Sequence, residues 1–165
     1  MSAEIAAALA RAQALLRARG LIVIDRDLTR PWGGFLVIDP RQIDGFIDAF
    51  FDGAEVAREG DLALSPKILI VAPGRRLSLQ YHRRRAEIWK VLEGPVGVCR
   101  SRDDGERAPE QVASGELVRL DVGERHRLIG LGGWGIVAEI WQHVEAAEPS
   151  DEQDIVRVVD DFGRV

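Results

Sequence analysis

The segment Leu77–Gly94, LSLQYHRRRAEIWKVLEG, places an amide, an imidazole and a carboxylate close together, at Gln80, His82 and Glu87. On a β-strand, Gln80 and His82 project from the same face because side chains alternate with a period of two. The Glu87 side chain can lie close to those of Gln80 and His82 if the chain bends after His82 and then enters the next strand. A second imidazole, His126, lies in a later segment that also has strand character. We therefore predict that these four side chains hold a metal ion inside a small β-barrel.

The composition is typical of one soluble globular domain. The chain has 165 residues, of which 46% are hydrophobic and 30% charged, which suffices for one core and is short for two. The formal net charge of -5 argues against a general nucleic-acid-binding protein, which needs a basic surface for phosphate contacts. A single cysteine, Cys99, excludes an intrachain disulfide and a multi-cysteine metal site.

The first residues have the pattern of a helix and not that of a signal peptide. They lack a basic start, and charged residues interrupt their apolar run. No stretch of the chain contains the roughly 18 uncharged apolar residues that are needed to span a bilayer. We expect a cytoplasmic protein with neither a membrane nor a nucleic-acid partner.

Helical periodicity occurs in two segments upstream of the predicted barrel. Ser2 is a suitable N-cap for a helix over about Ala3–Arg19, and Gly20 would end that helix. The second helical pattern, Pro40–Phe51, predicts a short helical insert at about residues 40–53.

Strand patterns dominate the rest of the chain. From Ser65 onward, short apolar runs are separated by Gly, Pro and Asp at intervals of about eight to twelve residues, which is typical of a sandwich or barrel. The predicted division is an N-terminal helix, residues 1–20, followed by one barrel domain, residues 21–165. Strands are predicted near residues 21–24, 35–38, 67–72, 77–82, 87–93, 96–100, 111–112, 117–120, 126–129 and 136–143, with a further apolar alternation over 155–159.

The residue types suit a metal, although His82 and His126 also have a simpler interpretation as ordinary strand histidines. The chain has three histidines, and two of them fit one spacing together with Gln80 and Glu87, which favours a metal site. The third, His143, fits no such spacing and is predicted to be structural. Two imidazoles and a carboxylate are good ligands for a divalent first-row metal, and the Gln80 oxygen is a weaker fourth ligand. Such a set leaves room for water or a substrate oxygen.

The pattern Gln-x-His-x4-Glu, followed much later by a His, resembles the metal-binding motifs of the cupin family. Gly94 follows Glu87 as the first motif requires, and residues 115–126, GELVRLDVGERH, resemble the second motif. The departures are Gln80, where the family usually has His, Asp121, where it usually has Pro, and Gly130, where it usually has Asn. The resemblance implies a mainly β fold, a double-stranded β-helix (jelly-roll) barrel, here with an N-terminal helix and a helical insert.

A narrower resemblance is to the type II mannose-6-phosphate isomerase domain. The family pattern PG-x2-LSLQ-x-H-x2-RAE-x-W matches residues 73–89, RPWG at 30–33 resembles its first motif, and DIVRVVDDFGR at 154–164 is similar to its last. The resemblance implies interconversion of mannose 6-phosphate and fructose 6-phosphate or a related phosphosugar. It also implies one divalent metal, usually zinc, with iron, manganese and nickel as alternatives, and the ligands Gln80, His82, Glu87 and His126.

This reaction requires a group that moves a proton between two carbons and a cation that receives the phosphate. Arg85 is the first choice for the cation because it lies in the matched motif. Lys67 and Arg157 follow, since both match basic residues of the family pattern. Arg85, Lys67 and Arg157 are therefore the predicted catalytic residues, and the predicted partner is a small anionic sugar.

Three features leave alternatives open. The family commonly has histidines where this chain has Arg83, Arg84 and Ile88, so a non-catalytic sugar-binding cupin is a second hypothesis. An iron-dependent oxidoreductase is a third, because similar ligand sets support oxygen chemistry.

The insert within Asp39–Pro66 would either cover the barrel mouth or pack outside. A homodimer is expected by analogy with other cupins.

Overall fold

A computed structural model describes residues 3–56 and 58–164 of the protein. Its first element is helix α1, Ala3–Arg17, which is followed by Gly20 at a φ of 67°. This confirms the predicted helix, except that it ends at Arg17 and not at Arg19, while the predicted cap Ser2 lies outside the described residues. The predicted apolar face of α1 is buried, at Ile5, Leu9, Ala12 and Leu16.

The second helical segment is divided into two parts. A 3₁₀ turn at Pro40–Gln42 leads into helix α2, Ile43–Phe50, and another 3₁₀ turn follows at Gly53–Glu55. The remaining elements are strands, namely β1 Val23–Arg30, β2 Gly33–Ile38, β3 Leu64–Val71, β4 Leu79–Tyr81, β5 Arg85–Glu93, β6 Val96–Ser101, β7 Glu110–Val112, β8 Leu117–Leu120, β9 Arg125–Gly130, β10 Gly135–His143 and β11 Val156–Val159.

These strands form two antiparallel sheets. The larger sheet has six strands in the order β1-β2-β3-β10-β5-β8, and the smaller has five in the order β11-β4-β9-β6-β7. Neighbours in this order are distant in the chain, as in a jelly roll, where strands cross between the sheets. The predicted class, a mainly β barrel with an N-terminal helix and a helical insert, is confirmed.

Strand β1 is the element that the sequence pattern described least well. The apolar run predicted a strand near residues 21–24, whereas β1 extends from Val23 to Arg30 and pairs with β2. Its second half is polar because β1 is the edge of the larger sheet and most of its side chains are exposed or half-buried. An edge strand needs little apolar surface, so its composition resembles that of a loop.

The larger sheet has one face toward the helices and one toward the smaller sheet, because its side chains alternate. Its outer face packs in one hydrophobic cluster with α1 and α2, and the sheet contributes Ile68, Ile70, Ile88, Ala138 and Ile140 to it. Its inner face shares a second cluster with the smaller sheet, formed by Leu69, Val71, Trp89, Val91, Val98, Leu128 and Val137 among others.

The insert therefore packs outside the barrel. Phe46, Ile47 and Phe50 of α2 are buried in the outer cluster. None of the described residues that line the main cavity between the sheets belongs to α1 or α2. Of the two predicted alternatives, the structure shows the second. Within the described residues, no helix is long and apolar enough to cross a membrane.

Candidate metal centre

Three elements bring the predicted ligands together between the sheets. His82 follows β4 at a bend, Glu87 lies on β5, and His126 lies on β9 of the smaller sheet. Asp154 holds the bend, since its carboxylate accepts hydrogen bonds from the backbone N–H groups of Arg83 at 3.1 Å and Arg84 at 2.9 Å. One potential ligand atom from each of the three side chains lies within 4.8 Å of the other two, and all three side chains are buried.

Backbone carbonyls orient both imidazoles. Nδ1 of His82 lies 2.8 Å from the carbonyl oxygen of Asp154, and Nδ1 of His126 lies 2.9 Å from that of Glu124. A carbonyl oxygen only accepts, so each Nδ1 carries the hydrogen. Each Nε2 of a neutral ring then carries its lone pair toward Glu87. Metal-binding histidines are commonly held in this way by a hydrogen bond at the other ring nitrogen.

The Glu87 carboxylate faces these two nitrogens. Its Oε1 lies 3.1 Å from Nε2 of His82, and its Oε2 lies 3.4 Å from Nε2 of His126. Oε2 of Glu87 and Nε2 of His126 are buried, and neither has a hydrogen-bond partner. Buried polar atoms without a partner are rare and costly. The electron pairs of a carboxylate oxygen and of an imidazole nitrogen repel each other when they face one another, unless a cation lies between them. These residues therefore fit a divalent metal.

The ionisation of Glu87 agrees with this fit. Burial acts to raise the Glu87 pKa, but the electrostatic attraction of His82 and His126 outweighs it and places the pKa well below its ordinary value. The carboxylate is therefore an anion that requires positive charge nearby. A divalent cation between the three side chains would supply this charge without occupying the Nε2 lone pairs with hydrogen.

The fourth predicted ligand, Gln80, lies beside this group. On β4 it is the direct cross-strand partner of His126 on β9, and on its other side it pairs with Arg157 on β11. Its side chain lines the cavity, where Oε1 accepts a hydrogen bond from the Ser78 hydroxyl at 2.6 Å. The second lone pair of that oxygen remains for a cation. Gln80 as a ligand stays a prediction.

Arg85 lies deep in the site. Its Nε donates to Oε1 of Glu87 at 2.8 Å, and its Nη1 donates to Oγ of Ser150 at 2.8 Å. Its Nη2 lies 3.2 Å from Nε2 of His82, and its guanidinium stacks 3.5 Å from the ring centroid of Trp141. The Arg85 guanidinium thus already makes its contacts with other side chains of the protein. Its predicted role as the phosphate-binding cation stays a prediction.

The other two predicted cations differ in how fully they are paired. Lys67 forms an ion pair with Glu152 and lies 3.5 Å from the ring centroid of Trp141. Arg157 lines the same cavity, its Nε is buried without a partner, and no ion pair joins it to any described residue. Burial, together with the nearby Arg164 and Arg30, lowers the Arg157 pKa. Of the three predicted cations, Arg157 is therefore the one with donors to spare for an anion.

A second buried carboxylate, Glu139 on β10, was not predicted from the sequence. It is 5% exposed, lines the cavity, and accepts hydrogen bonds from the indole Nε1 atoms of Trp89 and Trp141, each at 3.0 Å. The sequence contained a signal for Glu139, because Val137, Glu139 and Trp141 are spaced two apart and so share the inward face of a predicted strand. A charged residue among apolar neighbours in such a strand is seldom buried without a reason.

The positions where the family usually has histidines lie away from the cavity. Arg83 is exposed, and Arg84 points outward to Glu148, whose Oε1 lies 2.7 Å from its Nη1. Ile88 is buried in the outer cluster with the helices, on the opposite face of β5 from Glu87. These replacements remove no side chain from the described cavity lining. His143 is structural as predicted, with Ser65 and the backbone N–H of Ser150 on its two nitrogens.

Comparison with known proteins decides the family. Residues 55–160 match the family model described as mannose-6-phosphate isomerase C-terminal. The chain belongs to this family. It is 30% identical over 139 residues to the xanthan biosynthesis protein XanB of Xanthomonas campestris pv. campestris, covering 84% of this chain and 24% of that protein. It is 28% identical to the mannose-1-phosphate guanylyltransferase of Escherichia coli K12, covering 86% of this chain and 24% of that protein.

This member of the mannose-6-phosphate isomerase C-terminal family thus spans about a quarter of the length of those curated relatives. Among solved structures, a variant of Bacillus subtilis oxalate decarboxylase superposes with a TM-score of 0.58 at 15% identity, covering 81% of this chain and 30% of that one. At such low identity the likeness shows the cupin fold alone. The predicted recognition, a cupin of the mannose-6-phosphate isomerase type, is confirmed.

Proposed function

We propose that the protein is a metal-dependent sugar-phosphate isomerase that interconverts mannose 6-phosphate and fructose 6-phosphate or a related phosphosugar. The observation that carries this proposal is the buried group His82, Glu87 and His126, in which two imidazole lone pairs face an incompletely paired carboxylate. Membership of the mannose-6-phosphate isomerase C-terminal family supports the substrate class. Zinc is the proposed metal because it accepts nitrogen and oxygen ligands and leaves a coordination position open.

The cavity between the sheets has the polarity that such a substrate requires. It is lined by Gln80 and Glu87 near the metal group and by Lys67 and Arg157 on its wall. A bound metal would polarise the sugar carbonyl. The protein's own residues orient the sugar, exclude water and bind the phosphate.

Arg157 is the proposed principal phosphate ligand. Its guanidinium has no ion-pair partner among the described residues, whereas Lys67 and Arg85 already contact carboxylates. Arginine binds phosphate oxygens with paired N–H donors, which lysine cannot do. We expect Arg157→Gln to raise the KM for a sugar phosphate about 10–100-fold, since a hydrogen bond to a charged group contributes about 1.5–3 kcal/mol. Steady-state kinetics would measure this change, and an unaltered KM would contradict the assignment.

Metal analysis of the purified protein, combined with an isomerase assay on mannose 6-phosphate and a panel of related phosphosugars, tests the proposed function. Bound zinc with turnover supports it. Iron with oxygen consumption would instead indicate the oxidoreductase. Bound metal without turnover on any member of the panel would indicate a non-catalytic sugar-binding cupin.

A double variant tests the metal site separately. His82→Ala combined with His126→Ala removes both imidazoles from Glu87, so we expect loss of stoichiometric metal. The matched control is His143→Gln, which removes the third histidine and keeps an oxygen that can accept the N–H of Ser150. Retention of one metal per chain by the double variant would contradict the site.

The predicted homodimer is also a proposal. Strand β1 is an edge of the larger sheet, and the adjacent Ile22 and the β1 residue Ile24 are 54% and 55% exposed. An exposed edge with apolar side chains can pair with a second copy of the chain. Sedimentation of the wild-type protein and of Ile24→Lys would test this, and a wild-type monomer would refute it.

A further inference from the structure

Glu139 is a buried carboxylate that the metal group does not use. It lies in the middle of β10, is 5% exposed and lines the cavity, yet it is not part of the cluster formed by His82, Glu87 and His126. Isolated carboxylates are expensive to bury, and within the described residues Glu139 has no ion pair. Such a group needs an explanation beyond packing.

Two indoles fix the orientation of this carboxyl group. Nε1 of Trp89 donates to Oε1 of Glu139 and Nε1 of Trp141 donates to Oε2, each at 3.0 Å. Indole N–H groups only donate, so a proton on Glu139 must sit on a lone pair that neither indole occupies. The carboxyl group is therefore held rigidly while one lone pair on each oxygen stays available in the cavity wall.

The charged groups around Glu139 come from both neighbouring strands. Lys67 on β3 is its direct cross-strand partner, and Glu87 and Arg85 lie on β5. Burial and the negative charge of Glu87 raise the Glu139 pKa to about 8, and the positive charges of Lys67 and Arg85 act in the opposite direction. A general acid–base group works best when its pKa lies near the operating pH.

The other histidines and carboxylates of the cavity and of the adjacent metal cluster are already committed. The Nδ1 atoms of His82 and His126 point to backbone carbonyls, and their Nε2 atoms face Glu87. Glu152 is half-exposed and paired with Lys67. Among the described residues of the cavity, Glu139 remains as the carboxyl group that is fixed and buried and forms no ion pair.

We propose that Glu139 is the catalytic residue that carries the proton between C1 and C2 of the sugar phosphate, a role that rests on the proposed isomerase function. The carboxylate removes the proton from C2 of the aldose, the C–H electron pair forms the C1–C2 double bond, and the carbonyl pair moves to O1. The protonated Glu139 then returns the proton to C1, where the double-bond pair forms the new C–H bond. The O2 proton passes to O1 and the O2–H electron pair forms the C2=O2 carbonyl of the ketose, so the step needs no oxidant or further reactant.

The test replaces Glu139 by Gln, which has the same shape but cannot accept the proton. We expect kcat to fall by about 10²–10⁴-fold, the range that a positioned acid–base group contributes, while KM and metal content stay close to those of the wild type. In D₂O, deuterium should enter C1 in the wild type in those turnovers in which the proton on Glu139 exchanges with solvent before it is returned, and none should enter in Glu139→Gln. The matched control is Glu110→Gln, at an exposed glutamate on β7, which should change none of these quantities.

A second variant keeps the test informative if Glu139→Gln folds poorly. Glu139→Asp retains a carboxyl group at a shorter reach, so it should exchange deuterium more slowly than the wild type with metal still bound. A Glu139→Gln or Glu139→Asp variant with wild-type kcat and exchange would overturn the role of Glu139 alone. A wild-type protein that isomerises no phosphosugar would overturn the proposed function, and this role with it.

Discussion

The two faces of the larger sheet consist of the same strands but differ in chemistry, because the inner face combines its apolar residues with buried charged ones. On β10, Ala138 and Ile140 face the helices in the outer cluster, while Glu139 and Trp141 face the cavity. On β5, Ile88 faces outward and Glu87 faces inward. The outer face is apolar and covered by α1 and α2, whereas the inner face exposes charge to a cavity.

This difference separates stability from the site along each strand. Because side chains alternate, a residue on the outer face can contribute apolar burial without touching the cavity. Burying the charged inner row costs free energy, which the apolar outer face helps to offset. Substitutions on the outer face should therefore change the free energy of unfolding, and substitutions on the inner face should change metal binding.

The largest effect should come from removing an inner-face ligand. At a metal concentration of about 1,000 times Kd, binding to the folded state alone would stabilise the wild type by about 4 kcal/mol. We expect His126→Ala to lose this stabilisation. Its affinity for the metal should fall by more than the 10–100-fold that is typical when a hydrogen-bond partner of a ligand is removed. Denaturant unfolding with and without zinc measures the stabilisation. Equal stabilisation of variant and wild type would contradict the site.

On the outer face of the larger sheet, which contacts the helices, a substitution should greatly lower the free energy of unfolding and leave metal affinity unchanged. Phe46 on α2 is fully buried in the outer cluster, and Phe→Ala substitutions in cores cost about 3–5 kcal/mol. Phe46→Ala should lower the free energy of unfolding of the metal-free protein by this amount. Metal titration of the folded variant should give a wild-type affinity, and a weakened affinity would show that the two faces are coupled.

Asp154 links the site to the closing segment and should have an intermediate effect. Burial raises its pKa, but hydrogen bonds from Ser150 and from the backbone N–H groups of Arg83 and Arg84 outweigh this and lower it. The stabilisation is therefore complete above the ordinary Asp pKa of 3.8 and lost as the pH falls through the lower folded-state value.

Asp154→Asn should destabilise the protein by about 1.5–3 kcal/mol near neutral pH, since it weakens hydrogen bonds to a charged group. The loss should shrink as the pH falls below 3.8, where the wild type itself loses the carboxylate. Urea unfolding across this range measures both quantities. The control is Asp48→Asn, at an exposed position on α2, and an equal loss in both variants would refute the role of Asp154.

The smallest effect is expected for an ion pair outside the barrel. Lys90 on the outward side of β5 contacts Glu55 with Nζ–O distances of 2.9 and 3.0 Å. Both side chains are partly exposed, and such pairs contribute about 0–1 kcal/mol. Lys90→Gln should therefore lower the free energy of unfolding by less than about 1 kcal/mol and leave metal binding unchanged. A larger loss, or weaker metal binding, would count against the separation of the two faces.

The strands and the metal group were predictable because both depend on local spacing. Gln80 and His82 have strand periodicity, and the segment around His126 has the same apolar alternation, so the two-sheet fold places them together. Strand β1 was less predictable, since an edge strand satisfies its backbone groups with little apolar burial.

The partners of the ligands were not predictable from local patterns. The carbonyl of Asp154 orients His82, and its carboxylate holds the bend before Arg85, but no periodicity connects these distant positions. Glu139 was overlooked because it lies in an otherwise apolar strand pattern, with Val137 and Trp141 two positions away on either side. Only the pairing of β10 with β5 shows that the indoles of Trp89 and Trp141 point at one carboxyl group.

The hydrogen bond between His82 and Asp154 also bears on when the site forms during synthesis. The two residues are 72 positions apart, and His82, Glu87 and His126 all emerge from the ribosome before Asp154. Until β10 and the segment after it have been translated, the imidazole of His82 lacks the carbonyl that fixes its tautomer. We therefore expect the proposed metal site to become complete only when this late segment has been added.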